Sequence, residues 1–306
     1  MTQQIAGYIW MVRPAVFYGN PETGITNKFQ QASPHDFTNE ARAEFNCAVL
    51  RLKEYKINVL VSDSEDREAP DAIFPNNWIS YLPDGKIVIF PMMATSRRRE
   101  RSMGIPAEIK AEFAFHQLID LSAAENKGEF LEGTGSIVFD HRNKIAYACR
   151  SERTHALLLN KLCSELGYLP VIFDARDRNG YPVYHTNVLM SIGENAVVIC
   201  EESIIEEDRE RVMNVLQNAK RSVIRINHSQ MECFAGNLLQ VLTTEGALCW
   251  IASSAAVKAL KPEQVAKLKE GSGLLEIAIP TIEKVGGGSI RCMMAEVFLP
   301  RKNEMA

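Results

Sequence analysis

The sequence contains no C-x-x-C pair, no H-E-x-x-H run and no stretch approaching the ~18 apolar residues of a membrane span. These absences exclude the common zinc signatures and a membrane-spanning helix. Its 7 cysteines are odd in number and dispersed, which rules out a disulfide framework as well. No basic segment followed by an apolar run opens the chain, so a reducing cytoplasm is the expected location. No Ser-, Gly- or Pro-rich linker interrupts it, and one domain over residues 1–306 is expected, with only the tail from Lys302 to Ala306 disordered. The length exceeds the ~250 residues at which single cores usually divide, but ring-like architectures reach this size undivided. With a net charge of −4 and a pI of about 5.9, the chain lacks the basic footprint of a nucleic-acid binder. The cluster Arg97-Arg98-Arg99-Glu100-Arg101 is too short and mixed to supply one. An apolar fraction of 46% is ample for a packed core.

The sequence does contain a repeat. Four times a short β-branched and apolar segment leads through a turn into a second such segment, the signature of a hairpin. The pairs are 76–81 with 86–90, 135–139 with 145–149, 187–191 with 196–200, and 236–241 with 247–251. A fifth would join 293–299 to the N-terminal 8–12, so that the chain ends complete one another's unit. Between hairpins the apolar spacing changes to three and four, which predicts amphipathic helices over 40–55, 151–166, 206–219 and 253–270. Brief extended runs follow several of these, as at 57–61, 169–173 and 222–225. Strand, strand, helix, strand, repeated about five times, predicts an α/β fold of small sheets around an axis, spanning residues 8 to 299.

Polar residues recur with the repeat. Asn77, Glu132, His185, Asn237 and Cys292 are 55, 53, 52 and 55 residues apart. Units set around an axis would bring them to one centre, and a Cys, a His and a carboxylate together are what nucleophilic catalysis by a thiolate needs. Cys292 ends the run Gly286-Gly287-Gly288-Ser289-Ile290-Arg291, a backbone able to approach a ligand closely and to offer N–H groups to an oxyanion. Taken singly, His185 reads more readily as a core histidine, and Glu132 also reads as a turn cap. Their shared phase favours the catalytic reading.

Leu131-Glu132-Gly133-Thr134-Gly135, His185-Thr186-Asn187 and the terminal Gly-Gly-Gly-Ser-Ile-Arg-Cys-Met run resemble the guanidino-group-modifying superfamily of amidinotransferases, arginine deiminases and dimethylargininases. The resemblance covers essentially the whole chain. It is strongest to the branch of citrulline-utilisation hydrolases and their amidinotransferase-like relatives, whose Phe-Pro-Asn-Asn-Trp motif is Phe74 to Trp78 here. It implies the pentein fold, a five-bladed α/β propeller with pseudo-fivefold symmetry, and a reaction without metal or organic cofactor. It further implies Cys292 as nucleophile, His185 as acid and base, and Glu132 as the carboxylate that hydrogen-bonds a substrate nitrogen. Asp71 falls where dimethylargininases bind substrate, and Arg97 and Arg153 match arginines near the substrate's amino-acid end.

The departures from that pattern bear on substrate. Asn76 and Asn77 replace a Glu-Asp pair of dimethylargininases, and deiminases carry aspartates where Asn77 and Asn187 stand. A buried guanidinium without its carboxylates is costly, whereas amides suit a neutral ureido group that both donates and accepts. Citrulline or a related ureido compound is therefore the expected small-molecule partner, with no nucleic acid or membrane and a homo-oligomer left open. Amidine hydrolysis, amidino transfer to a second amine, and a non-catalytic binding protein of the same fold are the alternatives.

Overall fold

The computed structural model describes residues 3–31, 33 and 35–304. Strands β1 (Tyr8–Arg13) and β2 (Asn58–Asp63) open the chain, followed by β3 (Ile79–Tyr81), β4 (Lys86–Ile89) and β5 (Gln117–Asp120). Next come β6 (Val138–Asp140), β7 (Ile145–Cys149), β8 (Leu169–Phe173), β9 (Met190–Ile192), β10 (Ala196–Ile199) and β11 (Ser222–Arg225). The last four are β12 (Leu239–Leu242), β13 (Leu248–Ser253), β14 (Gly273–Ile277) and β15 (Ala295–Val297).

One pairing rule recurs. The first strand of each triplet runs antiparallel to the second, and the second runs parallel to the third, as in β6, β7 and β8, in β9, β10 and β11, and in β12, β13 and β14. β3, β4 and β5 repeat it. β15 repeats it with β1 and β2, registering Tyr8 with Val297 and Tyr8 with Asn58, so the chain ends do share a unit. That unit and the β3–β5 unit merge into one six-stranded sheet through Val297 and Tyr81. The parallel step needs a crossover, which most units make with a helix.

The helices bury one stripe each. Thr38–Glu54 buries Ala41, Phe45, Ala48, Val49 and Leu52, and Ala156–Leu166 buries Leu158, Leu159, Leu162, Cys163 and Leu166 before Gly167 ends it in the left-handed region. Each large apolar side chain so buried contributes roughly 1.5–3 kcal/mol. The helix expected over 253–270 is instead two, Ser254–Ala259 and Pro262–Leu268, because Pro262 cannot donate to the preceding turn and Lys261 before it is extended. The one expected from 151 starts at Ala156, since Ser151 to Thr154 close a turn, with Ser151 Oγ accepting from Arg153 N.

The inner strands also start later than the hairpin pattern predicts. Helical turns at Pro75–Asn77, Gly133–Ser136, Thr186–Leu189 and Ile290–Met293 come first, then β3, β6, β9 and β15. Gly133 shows why. Its φ of +45° turns the chain, and a Cβ there would lie 2.2 Å from the Asn76 carbonyl oxygen. The tail also differs from expectation: Lys302–Glu304 forms a 3-10 turn, while Met305 and Ala306 lie outside the described residues. Among the described residues no helix is long and apolar enough to cross a membrane.

Candidate active site

The five periodic polar residues all lie on the segments leading into a triplet's first strand, five or six residues ahead of it for Glu132 and His185 and two or three for Asn77, Asn237 and Cys292. Asn77 ends the turn before β3, Glu132 and His185 are the N-caps of the turns before β6 and β9, Asn237 lies two residues ahead of β12, and Cys292 sits in the turn before β15. The turn at 75–77 packs on those at 133–136 and 290–293, and 133–136 packs on 186–189. Packing at this junction leaves no room for a side chain at Gly135: a Cβ there would lie 2.5 Å from Asn77 Nδ2 and 2.7 Å from His185 Nδ1.

A narrow cavity opens at this junction, with free space of about 20 Å³, enough for roughly one water. Asp71, Phe74, Asn77, Arg97, Arg153, His185 and Cys292 line it. Of the residues singled out in the sequence, Glu132, Asn76, Asn187 and Asn237 do not border it and are buried.

Glu132 is committed to protein donors. Its Oε2 accepts from His185 Nε2 at 2.8 Å and from Arg153 Nη1 at 3.4 Å, and its Oε1 accepts from Met93 N at 3.0 Å. In this structure it holds the imidazole instead of facing open space, unlike the substrate contact expected from the sequence. Burial acts to raise its pKa. The Arg153 charge and the His185 hydrogen bond outweigh that and leave the carboxyl far below its usual range. Burial pulls His185 down to about 4 against the opposing pull of Glu132. The ring is thus neutral at pH 7, with its proton on Nε2 facing the carboxylate and Nδ1 free to accept.

Cys292 is buried, and burial raises its thiol above the usual 9.0. Two amides point at the sulfur, Asn237 Nδ2 at 3.4 Å and Asn187 Nδ2 at 3.7 Å, and Asn237 Oδ1 is 3.6 Å away as acceptor for the S–H. Asn237 is fixed in turn by donating to the Asn187 carbonyl at 2.8 Å. It was part of the periodic series, but its role beside the sulfur was not read from that series.

The two arginines are largely taken up by protein. Arg97 binds Glu100 through Nε at 2.7 Å and Nη2 at 3.0 Å, Asn77 Oδ1 through Nη1 at 2.6 Å, and the Phe74 carbonyl at 3.1 Å. Arg153 binds Thr26 Oγ1, the Thr23 carbonyl and Glu132, and lies 5.2 Å over the Tyr184 ring. Of its five donors each spends four, keeping one on Nη1. Asp71 accepts from Asn20 Nδ2 at 2.7 Å and Thr23 Oγ1 at 3.2 Å; burial raises its pKa, with Arg97 acting against the rise.

No motif marks Glu100, nor the segment from Asn20 to Gln30, whose Thr23 and Asn27 cover one side of the cavity. Asn27 Nδ2 is bonded to the Gly287 carbonyl at 3.0 Å, and Tyr184 donates to the same oxygen at 2.8 Å.

The fold is the mixed α/β fold of the pentein superfamily of amidinotransferases and dimethylargininases. The chain is similar to the unliganded arginine dihydrolase ArgZ from the ornithine-ammonia cycle in cyanobacteria, at 16% identity and a TM-score of 0.75, over 96% of this chain and 41% of that one. It thus spans about two fifths of that protein. The N-terminal domain of ArgZ bound to product is also 16% identical, with a TM-score of 0.74 over 97% of this chain and all of that one. A dimethylarginine dimethylaminohydrolase adduct with S-methyl-L-thiocitrulline is 14% identical, with a TM-score of 0.67 over 95% of this chain and all of that one. These identities establish shared fold. No curated protein matches the chain. The family model described as N,N dimethylarginine dimethylhydrolase, eukaryotic, matches residues 13–299, and the chain belongs to that family.

Proposed function

We propose that residues 1–306 form one domain whose five units stand around an axis as a propeller, with a cysteine-dependent hydrolase site of ureido or guanidino C–N bonds at its centre. Citrulline is the substrate the site suits best, giving ornithine, carbon dioxide and ammonia. The observation that carries this choice is the orientation of Asn77. Its Oδ1 accepts from Arg97 Nη1, and an arginine can only donate, so the amide cannot be reversed. Nδ2 is left as a buried donor with no protein partner, on a residue that lines the cavity. A donor there calls for an acceptor, which the ureido oxygen supplies; a guanidinium presents only N–H groups and leaves two donors face to face.

The chemistry follows from the free ring nitrogen. His185 Nδ1 takes the Cys292 proton as Sγ attacks the ureido carbon, forming a tetrahedral adduct. The adduct collapses with cleavage of the C–N bond to ornithine, whose amine receives that proton from Nδ1. An S-carbamoyl cysteine remains. Nδ1 then takes a proton from water as its oxygen attacks the carbonyl carbon, the C–S bond breaks, the thiol regains its proton, and the carbamic acid released falls apart to carbon dioxide and ammonia. Glu132 stabilises the imidazolium formed in each half-reaction.

Asp71 supports a second reading, hydrolysis of a guanidinium as in arginine deiminases and dimethylargininases, because it places a carboxylate on the cavity wall. Product analysis by mass spectrometry with citrulline, arginine, methylated arginines, agmatine and succinylarginine separates the two. Ornithine from citrulline, with at least tenfold preference in kcat/KM over arginine, is expected. Efficient arginine turnover with citrulline untouched would overturn the ureido reading.

A further inference from the structure

A second group of reactive side chains lies outside the cavity. Cys200, Glu202 and His228 bring a sulfur, a carboxylate oxygen and a ring nitrogen within 4.8 Å of one another. Cys200 follows β10, Glu202 lies in the 3-10 turn Glu201–Ser203, and His228 opens the helix His228–Glu232. The His228 ring faces an oxygen on each side, Glu202 Oε1 at 2.9 Å from Nδ1 and the Arg176 carbonyl at 3.3 Å from Nε2. Both are acceptors, and a neutral imidazole has one N–H. A cation bound at Nδ1 would replace the Nδ1–Glu202 hydrogen bond and leave the ring proton on Nε2, toward the Arg176 carbonyl.

The surroundings match what surrounds metal ligands. A bound imidazole characteristically donates its other N–H to a carbonyl or carboxylate, as His228 Nε2 is placed to do. Ser203 Oγ is 3.1 Å from Cys200 Sγ, a donor for a thiolate. Cys200 is sealed from solvent, whereas the side chains of Glu202 and His228 are 49% and 22% exposed, so an ion can enter from outside and meet the sulfur last.

We infer that Cys200, Glu202 and His228 form a binding site for a thiophilic divalent cation, with zinc the best match to one thiolate, one imidazole and one carboxylate. Bonds of about 2.0–2.3 Å to such ligands leave them roughly 3.5 Å apart around a tetrahedral ion. Glu202 Oε1 also accepts from the His228 backbone N–H, a contact the half-exposed carboxylate would give up as it turns to the ion. Binding breaks the Cys200 S–H bond, forms the sulfur–metal bond and releases the proton to solvent; water completes the coordination. The ion would tie the turn at 201–203 to the helix at 228–232. It would also brace the neighbouring turn that carries His185 and Asn187, because Cys200 N donates to the Leu189 carbonyl at 2.8 Å.

Cobalt(II) reports on such a site without reference to turnover, because a thiolate ligand gives it a near-ultraviolet charge-transfer band. Full-length protein freed of metal with a chelator should develop that band with one equivalent of cobalt(II), and zinc should abolish it. The band should persist in Cys292→Ser, which excludes the catalytic thiol, and vanish in Cys200→Ser. His228→Ala, on the surface, should weaken cobalt(II) binding at least tenfold and serves as the independent arm if Cys200→Ser fails to fold. No band in the unaltered protein, a band retained in Cys200→Ser, or unchanged affinity in His228→Ala would overturn the inference.

Discussion

Glu132→Gln tests the site through its least replaceable contact. The carboxylate is fully buried and accepts from His185 Nε2, Arg153 Nη1 and Met93 N. A glutamine amide can keep one acceptor oxygen, so at least one of these donors loses its partner and meets an N–H. Stripping a buried pair of one member costs about 3–5 kcal/mol, which lowers Tm by roughly 5–8 °C in a protein of this size. The imidazole also loses the group that fixes its tautomer and stabilises its charged form, so kcat should fall by roughly 10²–10⁴-fold. The pH profile distinguishes this from general damage. His185 ionises near 4 only because Glu132 opposes burial and the nearby arginines, so the acid limb of kcat/KM, expected near pH 4 in the unaltered protein, should move to still lower pH. Differential scanning fluorimetry and pH-dependent kinetics with citrulline measure both effects. A variant with unchanged Tm and an unmoved acid limb would refute the role assigned to the pair.

Asn237→Ala removes one amide and the acceptor beside the Cys292 sulfur; kcat for citrulline should drop roughly tenfold, about 1.4 kcal/mol, with the fold retained by circular dichroism. Gly135→Ala drives a methyl group against Asn77 and His185, so ornithine release should be lost although no polar group is removed. Asn77→Asp together with Asn187→Asp adds negative charge at the reacting group and should shift the ratio of kcat/KM values toward arginine in paired assays. On acidification stability should fall in two stages, followed by urea titration. His185 sits below its ordinary 6.5, so its contribution is complete above that pH and lost as pH falls toward 4, and the depressed Glu132 adds its loss below its ordinary 4.5.

The repeat was legible because its signals are local. Turns such as Pro83-Asp84-Gly85 and Gly193-Glu194-Asn195 sit between apolar pairs, and the near-even spacing from Asn77 to Cys292 carried the candidate residues onto the segments leading into the triplets' first strands. The helical turn before each inner strand was not legible, because it depends on long-range contact: Gly133 bends where Asn76 passes, 57 residues earlier in the chain. Nor were the side-chain commitments. The resemblance points to Arg97 near the substrate's amino-acid end and Glu100 reads only as part of a mixed charged run, yet both are buried and joined by two hydrogen bonds, and through them Asn77 is oriented. Thr23 and Asn27 carry no motif, and only the packed chain shows them over the cavity. Cys200, Glu202 and His228 have none of the close ligand spacing by which metal sites are recognised in sequence.

The central claim is that Cys292 carries the carbamoyl group of citrulline through a covalent intermediate. Rapid acid quench during turnover, followed by proteolysis and mass spectrometry, tests it directly. The account predicts the carbamoyl mass on the peptide bearing Cys292, no such mass on the other six cysteines, and neither adduct nor ornithine from Cys292→Ser. Ornithine formed at full rate by Cys292→Ser would contradict it.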